Sequence, residues 1–303
     1  MDSKIFIGTK SGLWTLDGDT SRQLDAFAGH AVTALARDAA HTWALVDGSA
    51  LWREDDGAWT PRATLPRPPA TCLAASSHGL LIGTEQAHLF RLTDRAPARI
   101  DAFDTMDGRD AWYTPWGDPA DVRSIAVARE GTIHVNVHVG GVARSRDGGA
   151  SWTPTVDIEQ DVHQVLAHPR SPRVVLVASA EGFGISRDGG DSWTFSTAGL
   201  HAHYSRAVAV GDAHVLLSAA TGFRGRRSAL YRMPLEGGTR FERCRDGLPQ
   251  WFDDNVDTGC LAAAGALVVF GTADGRVYRS RDDGGHWELA IKGLPQIGCV
   301  LVG

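Results

Sequence analysis

The sequence has little cysteine, no block of basic charge and no long apolar run. Its four cysteines, Cys72, Cys244, Cys260 and Cys299, are scattered through 303 residues. None forms a C-x-x-C pair, so they are expected as reduced, partly buried thiols, and no disulfide is needed between Cys260 and Cys299. The formal net charge is −6 and is spread along the chain. That argues against nucleic acid and against an anionic membrane surface as partners. No stretch is long and apolar enough to span a bilayer. The start, Met1 to Gly8, runs straight into strand-forming residues without a leader, so a cytoplasmic location is the expectation. What the chain does have is 35 glycines, 10 tryptophans and 43% hydrophobic residues. That is enough for one closed all-β domain or two smaller ones.

An eight-residue stretch recurs three times: Ser145 to Trp152, Ser186 to Trp193 and Ser280 to Trp287. Each reads S-x-D-x-G-x-x-W. Ser and Asp oxygens at this spacing can accept backbone N–H groups inside a tight turn. The Gly can take positive φ. The Trp opens the next strand and lays a large apolar ring on its neighbours.

A longer repeat contains this stretch. Anchors at Trp14, Trp52, Phe90, Ala143, Gly184, Tyr231 and Tyr278 lie 38 to 53 residues apart, and the interval from Tyr278 through the C-terminus to Trp14 is 39. Each repeat holds four short strands bounded by Gly, Pro, Asp and Ser turns, the pattern of a propeller blade. The predicted fold is therefore an all-β, seven-bladed β-propeller forming a single domain over residues 1–303. Blade 1 is split between 296–303 and 4–28, which pairs the two termini and leaves no open edge. Blades 2 to 7 are placed at 31–66, 70–103, 121–158, 161–198, 203–246 and 255–292. Strands are lettered A to D outward from the axis.

The eight-residue stretch resembles the Asp-box, or BNR repeat, of the sialidase superfamily and of related WD40/YVTN/BNR-like propellers. The resemblance covers about three blades closely. It implies that these Ser and Asp residues are scaffold, on the face opposite any active site. Sialidases themselves have six blades, an arginine triad, and a Phe/Tyr-Arg-Ile-Pro motif before the first box. Here Tyr231-Arg232-Met233-Pro234 falls late, in blade 6, and only two axial arginines occur, so sialidase activity does not carry over. Related xyloglucan hydrolases and photosystem-assembly propellers point to an enzyme and to a binding scaffold respectively, and the fold does not choose between them.

Candidate site residues are those that break the repeat. The innermost strand carries small or mild residues in blades 1 to 3. Blades 4 to 7 carry Asp121, Arg123, Asp161, His163, Tyr204, Arg206, Asn255 and Asp257 there. On strand B, the position before the turn reads Gly8, Val46, Gly83, His138, Ala178, Ser218 and Gly271. Blade 4 alone places a large polar group there, and His134, Asn136 and His138 alternate onto one side of its strand. Polar groups are tolerated in wet propeller channels, but ionisable residues seldom crowd without pairing or a ligand.

Two chemistries fit. In one, His138, His163 and one of Asp121, Asp161 or Asp257, with Asp257 preferred, hold a divalent transition metal, and His201 or His203 adds a further ligand. In the other, Arg123 and Arg206 clamp a carboxylate or phosphate while His163, Asp257, Asp121 and Tyr204 supply acid–base chemistry. Trp112, Tyr113, Trp116 and Trp251, with Asn255, would form the walls; the lesser alternative is that Trp112 and Trp116 plug the channel. The expectation is a hydrolase or lyase on a small polar, anionic or sugar-like molecule, in a monomer or weak homo-oligomer. The alternative is a non-catalytic scaffold that binds a protein through its Trp- and Arg-rich loops.

Overall fold

The computed structural model describes residues 4–93 and 96–303. Residues 1–3, at the predicted N-terminal lead, and residues 94 and 95, in predicted blade 3, lie outside the described residues. Among the described residues, 28 strands form seven four-stranded antiparallel sheets. They are the blades of a seven-bladed propeller. The ring closes as predicted: the last strand, Ile297–Val302, pairs with the first, Ile5–Thr9, and so becomes strand A of blade 1.

The burial pattern follows from position in the blade. Strand B is covered on both faces, so it reads as an unbroken apolar run rather than an alternating one. Ile5–Thr9, Thr42–Val46 and Val175–Ser179 are buried throughout. Strand D lies at the rim, and Ala58–Thr64 is mostly exposed.

By contact the chain clusters into two compact units. The first is Met1–Thr33, Ala178–Phe183 and Phe195–Gly303; the second is Ala34–Val177 and Gly184–Thr194. The first unit has one apolar core that includes Ile7, Leu216, Phe270, Tyr278 and Trp287. The second has two, one around Phe103, Val135 and Trp152 and one around Leu45, Leu51 and Ile82.

Glycine at the end of strand B has a steric cause. A Cβ on Gly83 would lie 2.4 Å from Val122 Cγ1, on strand A of the next blade, and one on Gly271 would lie 2.5 Å from Ile297 Cγ2. Blade-to-blade packing leaves room for little more than hydrogen at these two positions.

The three repeated turns have one geometry. Ser145 Oγ donates to Asp147 Oδ1 at 2.8 Å and accepts from Gly149 N at 2.7 Å, while Asp147 Oδ1 accepts from Ser151 N at 2.9 Å. Ser186 and Asp188, and Ser280 and Asp282, repeat it. The third turn differs at one place. Asp283 (φ 59°) stands where Gly148 (φ 70°) and Gly189 (φ 77°) stand in the others. Its carboxylate accepts from Asp212 N, Ala213 N and His214 Nδ1 at 2.7 to 3.1 Å, which ties the turn to blade 6.

A second device links neighbouring blades. Arg91, Arg144 and Arg279, each following a strand C anchor, reach the next blade's outer turn. Arg91 donates to the Gly148 carbonyl. Arg144 donates to the Gly189 carbonyl at 2.9 Å and to Asp191 at 2.7 Å. Arg279 donates to the Gly18 carbonyl at 2.5 Å and to Asp19 at 2.7 Å.

All four cysteines are free and buried. Burial pushes Cys72 and Cys299 up to about 12 and Cys244 up to about 11. Among the described residues, no helix is long and apolar enough to cross a membrane.

Candidate functional site

In the second unit the site is built at the junction of blades 4 and 5. His138 directly follows strand B of blade 4, Ile133–Val137. Its backbone N–H donates to the Asp121 carbonyl at 2.9 Å, which pins it beside strand A. His163 belongs to strand A of blade 5, Val162–Ala167. Asp161 precedes that strand in the left-handed conformation (φ 42°, ψ 66°), uncommon for a residue with a side chain.

The turn directs the Asp161 carboxylate between the two imidazoles. Oδ1 is 3.6 Å from His138 Nε2, and Oδ2 is 3.4 Å from His163 Nε2. His163 is fully buried and His138 nearly so. Burial pushes the Asp161 carboxyl's pKa up, but the neighbouring His163, His138 and Arg123 outweigh it and hold the group below the usual carboxylate range. Oδ1 is buried and accepts no hydrogen bond. Trp116 covers the outer side: its ring lies 5.0 Å from that of His138, and the residue is 64% exposed.

The other polar residues of that strand are structural. Asn136 Nδ2 donates to the Val162 carbonyl at 2.7 Å, and its Oδ1 accepts from Ser124 Oγ, so it stitches blade 4 to blade 5. His134 is fully buried with both ring nitrogens unpartnered, and burial, aided by Arg144 and Arg146, pushes it down to about 4. It is a neutral imidazole inside the wall.

Asp121 and the aromatic loop divide. Asp121 Oδ1 accepts the Gln86 amide at 3.0 Å, and burial holds its pKa above the ordinary value. Trp112 turns inward, 5.5 Å from the Phe103 ring, with the Arg109 guanidinium 5.0 Å from its own ring. Tyr113 is exposed. Of the three predicted aromatic walls in this loop, Trp116 is the one set against an imidazole.

The predicted residues of blades 6 and 7 form a separate cluster in the first unit. Arg206 Nη1 donates to both oxygens of Asp257 at 3.1 Å, and Nη2 donates to Tyr204 Oη at 3.2 Å and to the Phe223 carbonyl at 3.3 Å. Asn255 Nδ2 donates to the Gly222 and Phe223 carbonyls. Together they hold the loop between strands B and C of blade 6. One expectation needs correction here. Arg206 and Asp257 do not lie on strand A; those strands begin at Val208 and Leu261. The Cys260 N–H closes a turn on the Asp257 carbonyl at 2.9 Å, which delays the strand.

Among the described residues, no group of three or more His, Cys, Asp or Glu side chains is arranged to hold a metal ion. Within the second unit His138 and His163 share Asp161; within the first, Asp257 accepts from Arg206. The central place of Asp161 was the part the sequence obscured, because the left-handed turn that aims it has no glycine or asparagine to announce it.

No family model and no curated protein matches the sequence. Solved structures do match in shape. An ancestral GH74 enzyme is 15% identical, with a TM-score of 0.65 over 94% of this chain and 40% of its own. YCF48 from Cyanidioschyzon merolae is 15% identical, with a TM-score of 0.63 over 93% of this chain and 94% of its own. The WD40 propeller domain of Doa1 is 16% identical, with a TM-score of 0.63 over 98% of this chain and 93% of its own. The chain spans about two fifths of the GH74 enzyme. At these identities the likeness establishes the propeller fold alone.

Proposed function

We propose that the chain, acting as one domain, is a small-molecule enzyme, a hydrolase or lyase on a polar, sugar-like or carboxylated substrate. The observation that carries this is Asp161: a half-buried carboxylate, turned by a left-handed backbone between two imidazoles, one of which packs against an exposed indole. Its lowered pKa keeps it ionised at neutral pH. The carboxylate, a quarter of its side chain exposed, would accept a hydrogen bond from a substrate hydroxyl or a water. His138 is positioned to exchange the proton, and Trp116 offers a face on which a sugar ring can stack. Arg123 would meet a substrate carboxylate.

The metal-assisted form would use His138, Asp161 and His163, with Asp257 left to Arg206. The donor arrangement does not favour it, and no step is routed through a metal. Near-stoichiometric metal in purified protein that disappears in a His138→Ala/His163→Ala double variant would reinstate it.

The scaffold reading rests on one observation. Phe223 is 66% exposed on a loop clamped by Arg206 and Asn255, with the Arg224 guanidinium 5.3 Å from its ring. YCF48 and Doa1 propellers have the same fold, so the architecture alone does not demand catalysis.

A panel of glycosides, esters and carboxylated sugars separates the two readings. The enzyme reading expects turnover of at least one member, with Trp116→Ala raising KM and His138→Ala lowering kcat by about a hundredfold or more. Absence of turnover across the panel, with the protein folded, would leave the scaffold reading standing.

A further inference from the structure

Blade 6 of the first unit carries a second polar cluster, on other residues. Tyr231 on strand C lies directly opposite Arg243 on strand D. The loop between strands B and C is bridged to the blade 6–blade 7 connection by two hydrogen bonds, Ser228 N–H to the Phe252 carbonyl at 3.0 Å and Phe252 N–H to the Ser228 carbonyl at 2.9 Å. Arg227 and Trp251, which precede the two partners, fall diagonally on one face of this antiparallel bridge. Arg226 and Arg227 are both left-handed, at φ 50° and 51°, and Arg226 N–H donates to the Asp253 carbonyl at 2.8 Å.

The Trp251 indole becomes a platform. The Arg243 guanidinium lies 3.9 Å from its ring centroid and that of Arg227 4.8 Å. The His201 ring lies 4.6 Å away, and His201 Nδ1 is 2.6 Å from Tyr231 Oη. Together with Arg245 these residues line a cavity of about 600 Å³.

The charge in this cavity is unbalanced. Among the described residues, no carboxylate lies within ion-pairing distance of Arg227, Arg243 or Arg245. Glu242, the acid on the cavity wall, pairs with none of them. Arg243 Nε is buried without a hydrogen-bond partner. Burial first, and then the like charges of Arg245 and Arg227, work against the charged form of Arg243. A guanidinium remains protonated in such a place, so the positive charge stays. Stacking on indole occupies its face and leaves the in-plane N–H edge for an acceptor, an arrangement suited to oxyanions.

We propose that this cavity binds the phosphate or carboxylate group of a small molecule, with Arg227, Arg243 and Arg245 as donors around Trp251. It is independent of the Asp161 site and of the reaction proposed there.

The test is a titration of the full chain with inorganic phosphate and, separately, with acetate, at ionic strength held constant with sodium chloride. The readout is the indole N–H resonance of Trp251, identified by its loss in Trp251→Phe. The expected result is a saturable shift with one or both anions, the stronger identifying the ligand group. Arg243→Gln should weaken it by roughly tenfold or more, the loss of one charge-assisted contact. An Arg227→Gln/Arg243→Gln double variant of unchanged melting temperature should abolish it. No saturable shift with either anion, or the same shift in the double variant, would overturn the proposal.

Discussion

Arg206 Nη1 donates to both carboxylate oxygens of Asp257, at 3.1 Å each. Two residues that look from sequence like an anion clamp and an acid–base group neutralise one another. Their joint product is a fixed loop carrying Phe223. Asp257 is half exposed, so solvent screens the pair. Asp257→Asn should therefore lower stability by about 1 kcal/mol or less in urea denaturation, and should speed proteolytic cutting between residues 221 and 228. A large loss of turnover at unchanged stability would instead make the pair catalytic.

The repeated turns predict a pH response. Asp147 is held far below the ordinary 3.8 chiefly by the Ser151 hydroxyl, and Asp188 by that of Ser192; Asp282 is lowered chiefly by the His286 amide. A carboxyl whose folded pKa is depressed adds stability above its unfolded value and loses it as pH falls towards the folded one. Stability should be insensitive to these three groups at neutral pH and decline below about pH 4. Asp147→Asn should remove part of that acid slope, read from denaturation midpoints between pH 2 and pH 6.

His134 predicts a slope at higher pH. Its folded value of about 4 lies below the ordinary 6.5, so the unfolded chain binds the extra proton between those values. Stability should rise from pH 4 to 6.5 by up to about 3 kcal/mol from this residue alone. His134→Leu should flatten that rise and leave the protein as stable or more stable at pH 5, because it removes a buried polar group with no partner. A variant with the wild-type slope would contradict the assignment.

The arginine latches predict where the blades separate. Arg144 is 10% exposed at its side chain and carries bonds to Gly189 and Asp191. Arg144→Ala should cost about 1–3 kcal/mol, since it leaves a carbonyl and a carboxylate short of a donor. Arg279→Ala should cost a similar amount between blades 7 and 1. Hydrogen exchange should show the added opening at Gly189 and Gly18 respectively.

The fold was legible because its cause repeats. The strand C anchor returns in every blade and the S-x-D-x-G-x-x-W turn in three of them, and each answers the same packing need wherever it stands. His138 was singled out by a count that slips by two residues in blade 4: Asn136, paired with Val142, stands where Gly83 pairs with Leu89 and Gly271 with Val277, and His138 lies just past the strand. Arg206 and Asp257 were misplaced because blades 6 and 7 begin their inner strands late, and an equal count along the chain no longer means an equal direction. Trp112 and Trp116 are alike in sequence; only the position of Phe103 sends one inward. The strand C arginines were visible beside their anchors, but nothing in one repeat says that they serve the next.

The central claim is that Asp161, between His138 and His163, is the reacting centre. The most direct measurement is kcat/KM for Asp161→Asn against wild type on whichever panel substrate is turned over, with melting temperature measured alongside. A loss of about a hundredfold or more at a melting temperature within a few degrees of wild type is predicted. Turnover unchanged in a folded Asp161→Asn protein would contradict it.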